Sequence, residues 1–365
     1  MARVLIDLRH LLPAPTGIGT YLAGLVRAML ERRDRPGLAF LCNHRVQTEL
    51  VDGQAGTEVV HFPYPTYGMS EQAGMVRVIR RLRPEVVHFP HLGHPVGPIG
   101  TARLVLTIYD LIPEAFPEFY SASARWYRRA LLFSACRRAR WVTTISAFSK
   151  EDIARRLGYE RDRITIVLPG RPEDGPRWLG SARSEGLLYV GNLKPHKDVP
   201  VLIEAFRLLR DRGLRIPLQL TGTLESMRRF NPHVGQVPPG VEFLGEVSGA
   251  ELERLLAASR LLVLPSRYEG FGLPLLEAMS AGVPTVAAAT SSLMEVGAEA
   301  TAYFEPGSAS ALAEKIEMLY RDGAALEHYS RLGRERAALF DWQESANRML
   351  AVYERLMGAS PMAAV

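Results

Sequence analysis

The chain has 365 residues, of which 47% are hydrophobic and 23% are charged. This balance is typical of a globular protein and excludes a disordered one, and the length predicts two α/β domains. The two cysteines are far apart and lack zinc-ligand spacing, which excludes a disulfide scaffold. The net charge of +5 favours anionic partners without choosing among nucleotide phosphates, a membrane surface and nucleic acid.

The sequence contains no apolar run of the roughly 18 residues that a membrane-spanning helix needs. Its beginning places Asp7 and Arg9 inside what would have to be the apolar stretch of a signal peptide, so it predicts a buried first strand instead. We therefore expect a cytoplasmic protein, and the positive charge leaves open a peripheral position on the inner face of the cytoplasmic membrane.

Strand-like and helix-like runs alternate through the first half of the chain, as they do in parallel sheets covered by helices. The spacing of apolar residues predicts helices at 20–32 and 123–137. The predicted strands are 4–7, 39–43, 59–62, 86–89, 104–108, 141–145 and 164–167.

The segment from Pro169 to Pro176 interrupts this alternation with three prolines and two glycines, a composition that predicts an exposed connector. We therefore predict an N-terminal domain at 1–170, a linker at 171–184, a C-terminal domain at 185–341, and a helix at 342–358 that packs back on the N-terminal domain. The strands predicted after the linker are 186–190, 217–221, 241–244, 261–264 and 285–288. The helices predicted there are 199–210, 249–259, one from Pro274, 308–322, 324–340 and 342–357.

This organisation predicts an α/β protein with two Rossmann-like, doubly wound domains that face each other across a cleft. Such domains bind ligands beyond the carboxyl ends of their strands, so the functional residues are expected in loops that follow strands. One such loop contains Gly270 and Gly272, which allow close approach of a ligand to the backbone. Pro274 follows where a helix can begin, and the start of a helix favours anions.

The same loop resembles a family signature. The run Tyr268-Glu-Gly-Phe-Gly-Leu-Pro-Leu-Leu-Glu-Ala-Met279, followed by Ala281-Gly-Val-Pro284, is similar to the glutamate–seven residues–glutamate motif of retaining glycosyltransferases of family 4, which have the GT-B fold. The resemblance implies that Glu269 contacts the donor sugar and that Glu277 binds the ribose hydroxyls. The alternative is an unrelated loop with two solvated glutamates. The donor-binding residues implied in this segment are Glu269, Gly270, Phe271, Gly272, Leu273 and Glu277.

A second stretch, from Tyr189 to Asp198, resembles the first strand and loop of the family's C-terminal domain, where a lysine neutralises the donor diphosphate. Lys197 matches that lysine, in a chain that has only four. The alternative is a solvated loop lysine. Many family members carry an arginine where this chain has Asn192, so His196 or Lys194 is expected to compensate.

Two N-terminal segments also resemble the family. Gly17-Ile-Gly19 matches a loop that lies against the donor phosphates or the acceptor, although a plain turn is the alternative. The segment around Tyr109 and Asp110 matches one that usually reads His-Asp at a strand end, and in relatives that histidine hydrogen-bonds the transferred sugar. Here Tyr109 replaces it, and its hydroxyl is the candidate substitute donor. With Lys197 and Glu269, these two residues complete the implied catalytic set.

Three histidines, His88, His91 and His94, stand three residues apart after a predicted strand. They allow three interpretations: a metal site, residues that line the acceptor site, or a structural loop. The resemblance implies no metal, and we predict an acceptor-side role for His88 and His91. Ser146, in a segment that also looks like the family, is assigned to the same side.

Basic and apolar residues are combined on helices predicted for the N-terminal domain. This combination suits the surface of an anionic membrane, while the alternative is an amphipathic helix with its apolar face in the core. No nucleic-acid-binding module accompanies the charge, so nucleic acid is not expected. The arginines are Arg77, Arg80, Arg81, Arg83, Arg125, Arg128, Arg129, Arg137, Arg138 and Arg140, and the second group is interleaved with Trp126, Tyr127 and Phe133.

The resemblance implies metal-independent transfer of a hexose, with retention, from a nucleoside-diphosphate donor that is a substrate and not a cofactor. It extends to bacterial mannosyltransferases, so GDP-mannose and a lipid-linked oligosaccharide are the expected substrates. A dinucleotide-dependent oxidoreductase is disfavoured because Leu22 stands where a third glycine belongs and the second strand ends at Asn43, not at an acid. The other alternative is a non-catalytic sugar-nucleotide-binding scaffold.

Overall fold

The computed structural model describes residues 3–14, 16–64, 68–172, 178, 180 and 186–358. The chain divides into two compact units: an N-terminal unit of Met1–Gly170 with Asp341–Val365, and a C-terminal unit of Arg171–Phe340. Most of the linker predicted at 171–184 lies outside the described residues, namely 173–177, 179 and 181–184.

The N-terminal unit is built on a seven-stranded parallel sheet. Its strands are β1 Val4–Asp7, β2 Leu38–Cys42, β3 Thr57–His61, β4 Val86–Phe89, β5 Arg103–Thr107, β6 Ala139–Thr144 and β7 Ile164–Ile166. Their order in the sheet is β3-β2-β1-β4-β5-β6-β7, so the direction of winding reverses between β1 and β4. Every residue of β1, β2 and β4 is buried, as expected of central strands that helices cover on both faces.

In the described part of the chain, six α-helices precede residue 170, and the first shows how their ends are set. The hydroxyl of Thr16 accepts a hydrogen bond from the Gly19 amide at 3.0 Å, so the helix begins at Gly17. The prediction that it begins at residue 20 is wrong, because Gly17 and Gly19 form its first turn. The helices are α1 Gly17–Glu31, α2 Arg45–Val51, α3 Met69–Leu82, α4 Ile112–Ala115, α5 Ala122–Arg138 and α6 Ala147–Leu157.

The C-terminal unit contains a second, six-stranded parallel sheet. Its strands are β8 Gly186–Tyr189, β9 Leu218–Leu220, β10 Val241–Phe243, β11 Ser259–Leu264, β12 Thr285–Ala288 and β13 Ala302–Phe304. The order β10-β9-β8-β11-β12-β13 reverses between β8 and β11. The prediction of two doubly wound, Rossmann-like α/β domains is confirmed.

Amphipathic helices cover this second sheet. In the first of them, residues 202, 206 and 209 recur at helical spacing, and all three are fully buried. The short helices after β9 and β12 and strand β13 were not predicted. The helices are α7 Val199–Asp211, α8 Leu224–Phe230, α9 Gly249–Ala258, α10 Leu273–Ala281, α11 Ser291–Gly297, α12 Ala309–Arg321 and α13 Gly323–Ala337.

The last helix, α14 Trp342–Gly358, belongs to the N-terminal unit and packs against α1. A Cβ added at Gly24 of α1 would lie 2.4 Å from two ring carbons of Trp342, so only glycine lets the two helices approach this closely. Within the described ranges, none of the helices is both long and apolar enough to cross a membrane.

We expect Gly24→Ala to destabilise the protein. Alanine in a helix interior normally gains up to about 1 kcal/mol over glycine, but overpacking against a fixed ring costs about 1–3 kcal/mol, so the clash decides the sign. Urea unfolding measures the change. The control is Gly249→Ala in α9, where an added Cβ meets no atom within 4 Å. A Gly24→Ala protein as stable as the unchanged chain would contradict the packing described.

Candidate active site

The candidate site lies at the carboxyl ends of three neighbouring strands of the C-terminal unit. Strands β8, β11 and β12 are adjacent in the sheet, and the order reverses between β8 and β11. Lys197 follows β8, Glu269 follows β11 and Ser291 follows β12. In a doubly wound sheet this reversal opens a crevice in which ligands bind.

Lys197 and Glu269 form an ion pair at this position. The lysine Nζ lies 2.6 Å from Oε1 and 2.7 Å from Oε2 of the carboxylate. The two side chains are 14% and 10% exposed, so the pair is largely screened from water but remains partly accessible. A charge in such a place acts more strongly on a ligand than one on an open surface.

Three serines fix Glu269 in its loop. The Ser266 hydroxyl donates to Oε1 at 2.7 Å, and the Glu269 amide donates to the Ser291 hydroxyl at 3.0 Å. The Ser292 hydroxyl donates to the Glu269 carbonyl at 2.9 Å. These bonds join the loop after β11 to the start of α11 and hold the carboxylate in one orientation. Sequence reasoning assigned no role to the three serines, although each follows a strand at the predicted edge.

The backbone beside the pair is strained. Asp198 has φ of 50° and Ser291 has φ of 48°, backbone angles that residues other than glycine rarely adopt. Gly272, with φ of 95°, caps α10, and a Cβ there would lie 2.7 Å from Leu293 Cδ2. Strain of this kind persists only where the surroundings enforce it, and it concentrates at functional sites.

The loop after β8 corrects one prediction. His196 is 4% exposed, and burial, with the neighbouring Lys197, lowers its pKa to about 4. It is therefore neutral near pH 7 and cannot supply the charge expected to compensate for Asn192. The Asn192 side-chain oxygen accepts the Lys194 amide at 3.2 Å, and Asn192 itself is exposed. Arg267, which was not predicted, joins this loop through its amide, 2.8 Å from the His196 carbonyl.

Phe271 is 2% exposed, and its ring meets that of Phe340 edge-on at 5.7 Å, which anchors the glycine loop in the core. Gly270, Gly272 and Leu273 continue this loop into α10, which begins at Leu273. Glu277 lies one turn into that helix and is half-buried. Its burial, with the nearby Glu253 carboxylate, raises its pKa to about 7.

This raised pKa predicts pH-dependent donor binding. A carboxylate accepts both hydroxyls of a ribose diol, and roughly a tenth of Glu277 is ionised at about pH 6 against nine tenths at about pH 8. We therefore expect a nucleotide sugar to bind about 10-fold more tightly at the higher pH. Calorimetric titration measures this, because the donor's diphosphate diester does not titrate in that range.

Glu277→Gln is the control, and it should bind weakly with no such pH dependence. Over the same rise in pH, the free energy of unfolding of the ligand-free protein should decrease. A raised carboxyl pKa stabilises the fold below the unfolded value near 4.5, and this contribution is lost as the pH rises to about 7. A pH profile of binding shared by both proteins would contradict the assigned role.

In the N-terminal unit, Tyr109 and Asp110 follow β5. The Asp110 carboxylate accepts the Ile112 amide at 3.1 Å. The Tyr109 hydroxyl is buried and has no hydrogen-bond partner among the residues that the structure describes. Burial is the larger cause that holds the Tyr109 pKa well above its usual value, and the nearby Tyr21 hydroxyl is the smaller one, so the phenol keeps its proton. A buried donor without a partner is unfavourable in itself and suits a ligand that will accept from it.

The predicted acceptor-side residues do not line an open surface. His88 is 1% exposed, with Nδ1 2.6 Å from the Tyr353 hydroxyl and Nε2 2.8 Å from Thr107 Oγ1. The prediction for His88 is therefore wrong, because both ring nitrogens are engaged in the core. Ser146 is also fully buried, and its hydroxyl caps α6 by accepting the Ser149 amide at 3.0 Å.

His91 belongs to a buried ionic network. Its Nε2 lies 2.9 Å from Asp7 Oδ2, and the same carboxylate pairs with Arg9 at 2.6 Å. Arg9 also contacts Glu71 at 2.7 Å. His91 is 6% exposed, and this network, rather than a ligand, accounts for its position.

The three histidines do not form a metal site. His94 contacts Ser134 and the Leu92 carbonyl, so it shares no partner with His88 or His91. Among the residues with described positions, no group of three or more histidine, cysteine or acidic side chains is arranged to hold a metal ion.

Comparison with known proteins agrees with this geometry. The model named Glycosyltransferase Family 4 matches residues 15–174, and the model named Glycosyl transferases group 1 matches residues 179–336. The chain therefore belongs to the GT-B glycosyltransferases that combine these two domains, and the predicted family is confirmed.

Individual relatives span almost the whole chain. It is 27% identical to an O-antigen chain mannosyltransferase B of Escherichia coli, over 93% of this chain and 96% of the relative. Among solved structures, it resembles a sucrose-phosphate synthase of Thermosynechococcus elongatus, with a TM-score of 0.79, 20% identity and coverage of 99% and 100%. It also resembles Anabaena HepE in complex with UDP and glucose, with a TM-score of 0.72, 20% identity and coverage of 98% and 100%.

Proposed function

We propose that this glycosyltransferase transfers a hexose, with retention, from a nucleoside-diphosphate sugar to an acceptor hydroxyl. The observation that carries the proposal is the Lys197–Glu269 pair at the reversal of the C-terminal sheet. It supplies one cation for a diphosphate and one carboxylate for sugar hydroxyls, beside a helix that begins after a glycine. The two family matches and the complex of HepE with UDP and glucose support the same class of donor.

Each residue then has a defined task. Lys197 stabilises the negative charge that develops on the leaving diphosphate, and the start of α10 adds to this. Glu269 accepts hydrogen bonds from the hydroxyls of the transferred sugar, and Glu277 accepts those of the ribose. Tyr109 donates to the sugar in place of the histidine found in the family. The proposed reaction needs no metal and no cofactor.

We propose that retention arises because the acceptor oxygen attacks the anomeric carbon from the same face from which the diphosphate departs. The bond from the anomeric carbon to the diphosphate oxygen breaks, and a bond forms from the same carbon to the acceptor oxygen. The acceptor's proton passes to the departing diphosphate oxygen. The Lys197–Glu269 pair is unsuited to act as nucleophile, because the lysine holds both carboxylate oxygens.

Mannose from GDP-mannose is the proposed sugar, and a lipid-linked oligosaccharide at the inner face of the cytoplasmic membrane is the proposed acceptor. The E. coli mannosyltransferase supports this choice, since it matches nearly the full length of both chains. A UDP sugar is the competing donor. A non-catalytic scaffold is the other candidate, and it is favoured by Asn192 and by the neutral His196, which together leave fewer fixed cations near the diphosphate.

The test is donor turnover by the purified full-length chain with GDP-mannose, UDP-glucose and ADP-glucose in turn. We expect nucleotide release with one donor, and an α-linked product by NMR from an α-linked donor. Release with a β-linked product would contradict retention. Tight nucleotide binding without any release, even with saccharide acceptors present, would support the scaffold.

A further inference from the structure

The loop after β11 carries one exposed side chain in an otherwise buried run. From Leu261 to Gly272, a stretch that the structure describes completely, every residue is buried except Arg267. This run includes the end of β11, Glu269 and the glycines that lead into α10. An exposed guanidinium in the middle of a buried loop, at the edge where doubly wound sheets bind ligands, lies where it can contact a ligand.

The backbone of Arg267 is fixed by the segments that follow the two neighbouring strands. Its amide donates to the His196 carbonyl, after β8, at 2.8 Å. Its carbonyl accepts the Thr290 hydroxyl, after β12, at 3.2 Å. Neither bond involves the guanidinium, so the loop should keep its path when that side chain is replaced. The backbone therefore presents the side chain from a fixed position in the site.

A charged neighbour links the Arg267 side chain to the Lys197–Glu269 pair. Arg267 is two residues before Glu269, and Asp198 directly follows Lys197. Burial raises the pKa of Asp198, and the positive charge of Arg267 opposes this shift, so the two side chains interact. The Asp198 side chain makes no capping hydrogen bond with α7, which begins at Val199. Without a ligand, Asp198 is therefore a counter-ion of Arg267.

The positive charge of the Lys197–Glu269 pair falls short of what a donor diphosphate needs. A nucleotide sugar carries a negative charge on each of its two phosphates, whereas Lys197 holds both oxygens of Glu269, at 2.6 and 2.7 Å. His196 is neutral near pH 7, and Asn192 carries no charge. A guanidinium binds phosphate through two parallel hydrogen bonds, so an exposed arginine at this edge is suited to act as a second cation.

We propose that Arg267 binds the donor phosphate that carries the transferred sugar, and that it exchanges Asp198 for this phosphate when the donor binds. The sugar-bearing phosphate is favoured because Arg267 adjoins Glu269, the proposed ligand of the transferred sugar, whereas Glu277, the proposed ribose ligand, lies further on, inside α10. Arg267 thereby stabilises the charge that develops on this phosphate as the sugar departs. The inference rests on the proposed function, since it adds a second cation to that donor site.

Calorimetric titration of the full-length chain with GDP, UDP, dTDP and ADP, each beside its monophosphate, tests the assignment. For the diphosphate that binds, Arg267→Gln should weaken affinity about 10-fold. The matching monophosphate should lose little, because it lacks the distal phosphate. Arg267→Lys should recover part of the loss. Arg215→Gln is the matched control, because Arg215 is also exposed but precedes β9, at the opposite edge of the sheet.

Donor turnover and unfolding give two further readouts for Arg267→Gln. We expect kcat to fall about 10-fold as well, because the charge that Arg267 meets grows in the transition state. Unfolding in urea without nucleotide should match that of the unchanged chain, because the backbone bonds of Arg267 remain. A merely structural arginine would give the reverse result, with lower stability and unchanged kcat.

Asp198→Asn tests the exchange of partners. Asparagine tolerates the left-handed backbone of this residue, with φ of 50°, as well as aspartate does, so the loop should keep its shape. Without the competing carboxylate, the diphosphate should bind about 3-fold more tightly. This gain should vanish in the double variant Asp198→Asn with Arg267→Gln, because Asp198 acts through Arg267. A gain of equal size in both backgrounds would contradict the exchange.

Equal losses for diphosphate and monophosphate, or unchanged affinity and turnover in Arg267→Gln, would overturn the inference. A loss confined to Lys194→Met would assign the second cation to Lys194 instead, which is exposed on the loop after β8. In each of these cases the unchanged chain still binds the diphosphate and Lys197→Met does not. Failure of the proposed donor site gives a different result, since no nucleotide then binds, or Lys197→Met binds it as well as before, and this inference falls with it.

Discussion

Lys197→Met is expected to lower kcat by about 10²- to 10³-fold, which is the usual cost of removing one preorganised group that stabilises developing charge. It should also destabilise the protein by about 1–3 kcal/mol, because Glu269 keeps a partly buried charge without its cation. Steady-state donor turnover and urea unfolding measure the two effects separately.

The double variant Lys197→Met with Glu269→Gln separates function from stability. Neutralising both partners removes the unpaired charge, so most of the lost stability should return while activity stays low. Lys315→Met is the control, because Lys315 lies on α12, outside the loops that carry the site. If the double variant recovered activity with its stability, the pair would be structural only.

Tyr109→Phe should increase stability and decrease activity. Its hydroxyl has no partner among the described residues, so removing it avoids a desolvation cost of about 1 kcal/mol or more. If the same hydroxyl donates to the transferred sugar, donor turnover should fall roughly 10²-fold. Thermal denaturation and kcat, measured on one preparation, test the expected rise in stability and the expected fall in activity.

Tyr21→Phe is the matched control for this prediction. Tyr21 lies edge-on to Tyr109 at 5.5 Å, and its hydroxyl donates to the Val167 carbonyl at 3.3 Å. Its loss should therefore destabilise the protein by about 1 kcal/mol and leave turnover within a few-fold. A Tyr109→Phe protein that is destabilised, with unchanged turnover, would assign Tyr109 to the core.

The fold could be predicted from the sequence because buried parallel strands leave continuous apolar runs. The strands at Val4–Asp7, Val86–Phe89 and Thr285–Ala288 were predicted to the residue. Among the elements that were not predicted, β13 has three residues and α2, α8 and α11 have seven each, too few to show a period. The start of α1 was misplaced because the cap at Thr16 precedes two glycines, which are usually read as a loop.

The site was predictable only where one loop carries its own signature. Glu269 and Glu277 stand on a single strand–loop–helix segment, whereas Ser291 contacts Glu269 from the start of α11, after β12. The burial of His88 could not be predicted, because its partner Tyr353 lies 265 residues away in the sequence, beyond the reach of any local pattern. The neutral state of His196 follows from burial, which only the folded chain reveals.

The most direct test of the donor site is a thermal-shift titration with GDP, UDP, dTDP and ADP. The unchanged chain is compared with Lys197→Met, Glu277→Gln and the control Lys315→Met. Nucleotide raises the melting temperature in proportion to RT ln(1 + [L]/Kd), so the shift reports affinity. We predict a shift with one nucleotide that both site variants lose and Lys315→Met keeps. A shift that survives in both site variants, or no shift with any of the four, would contradict a donor site built on Lys197, Glu269 and Glu277.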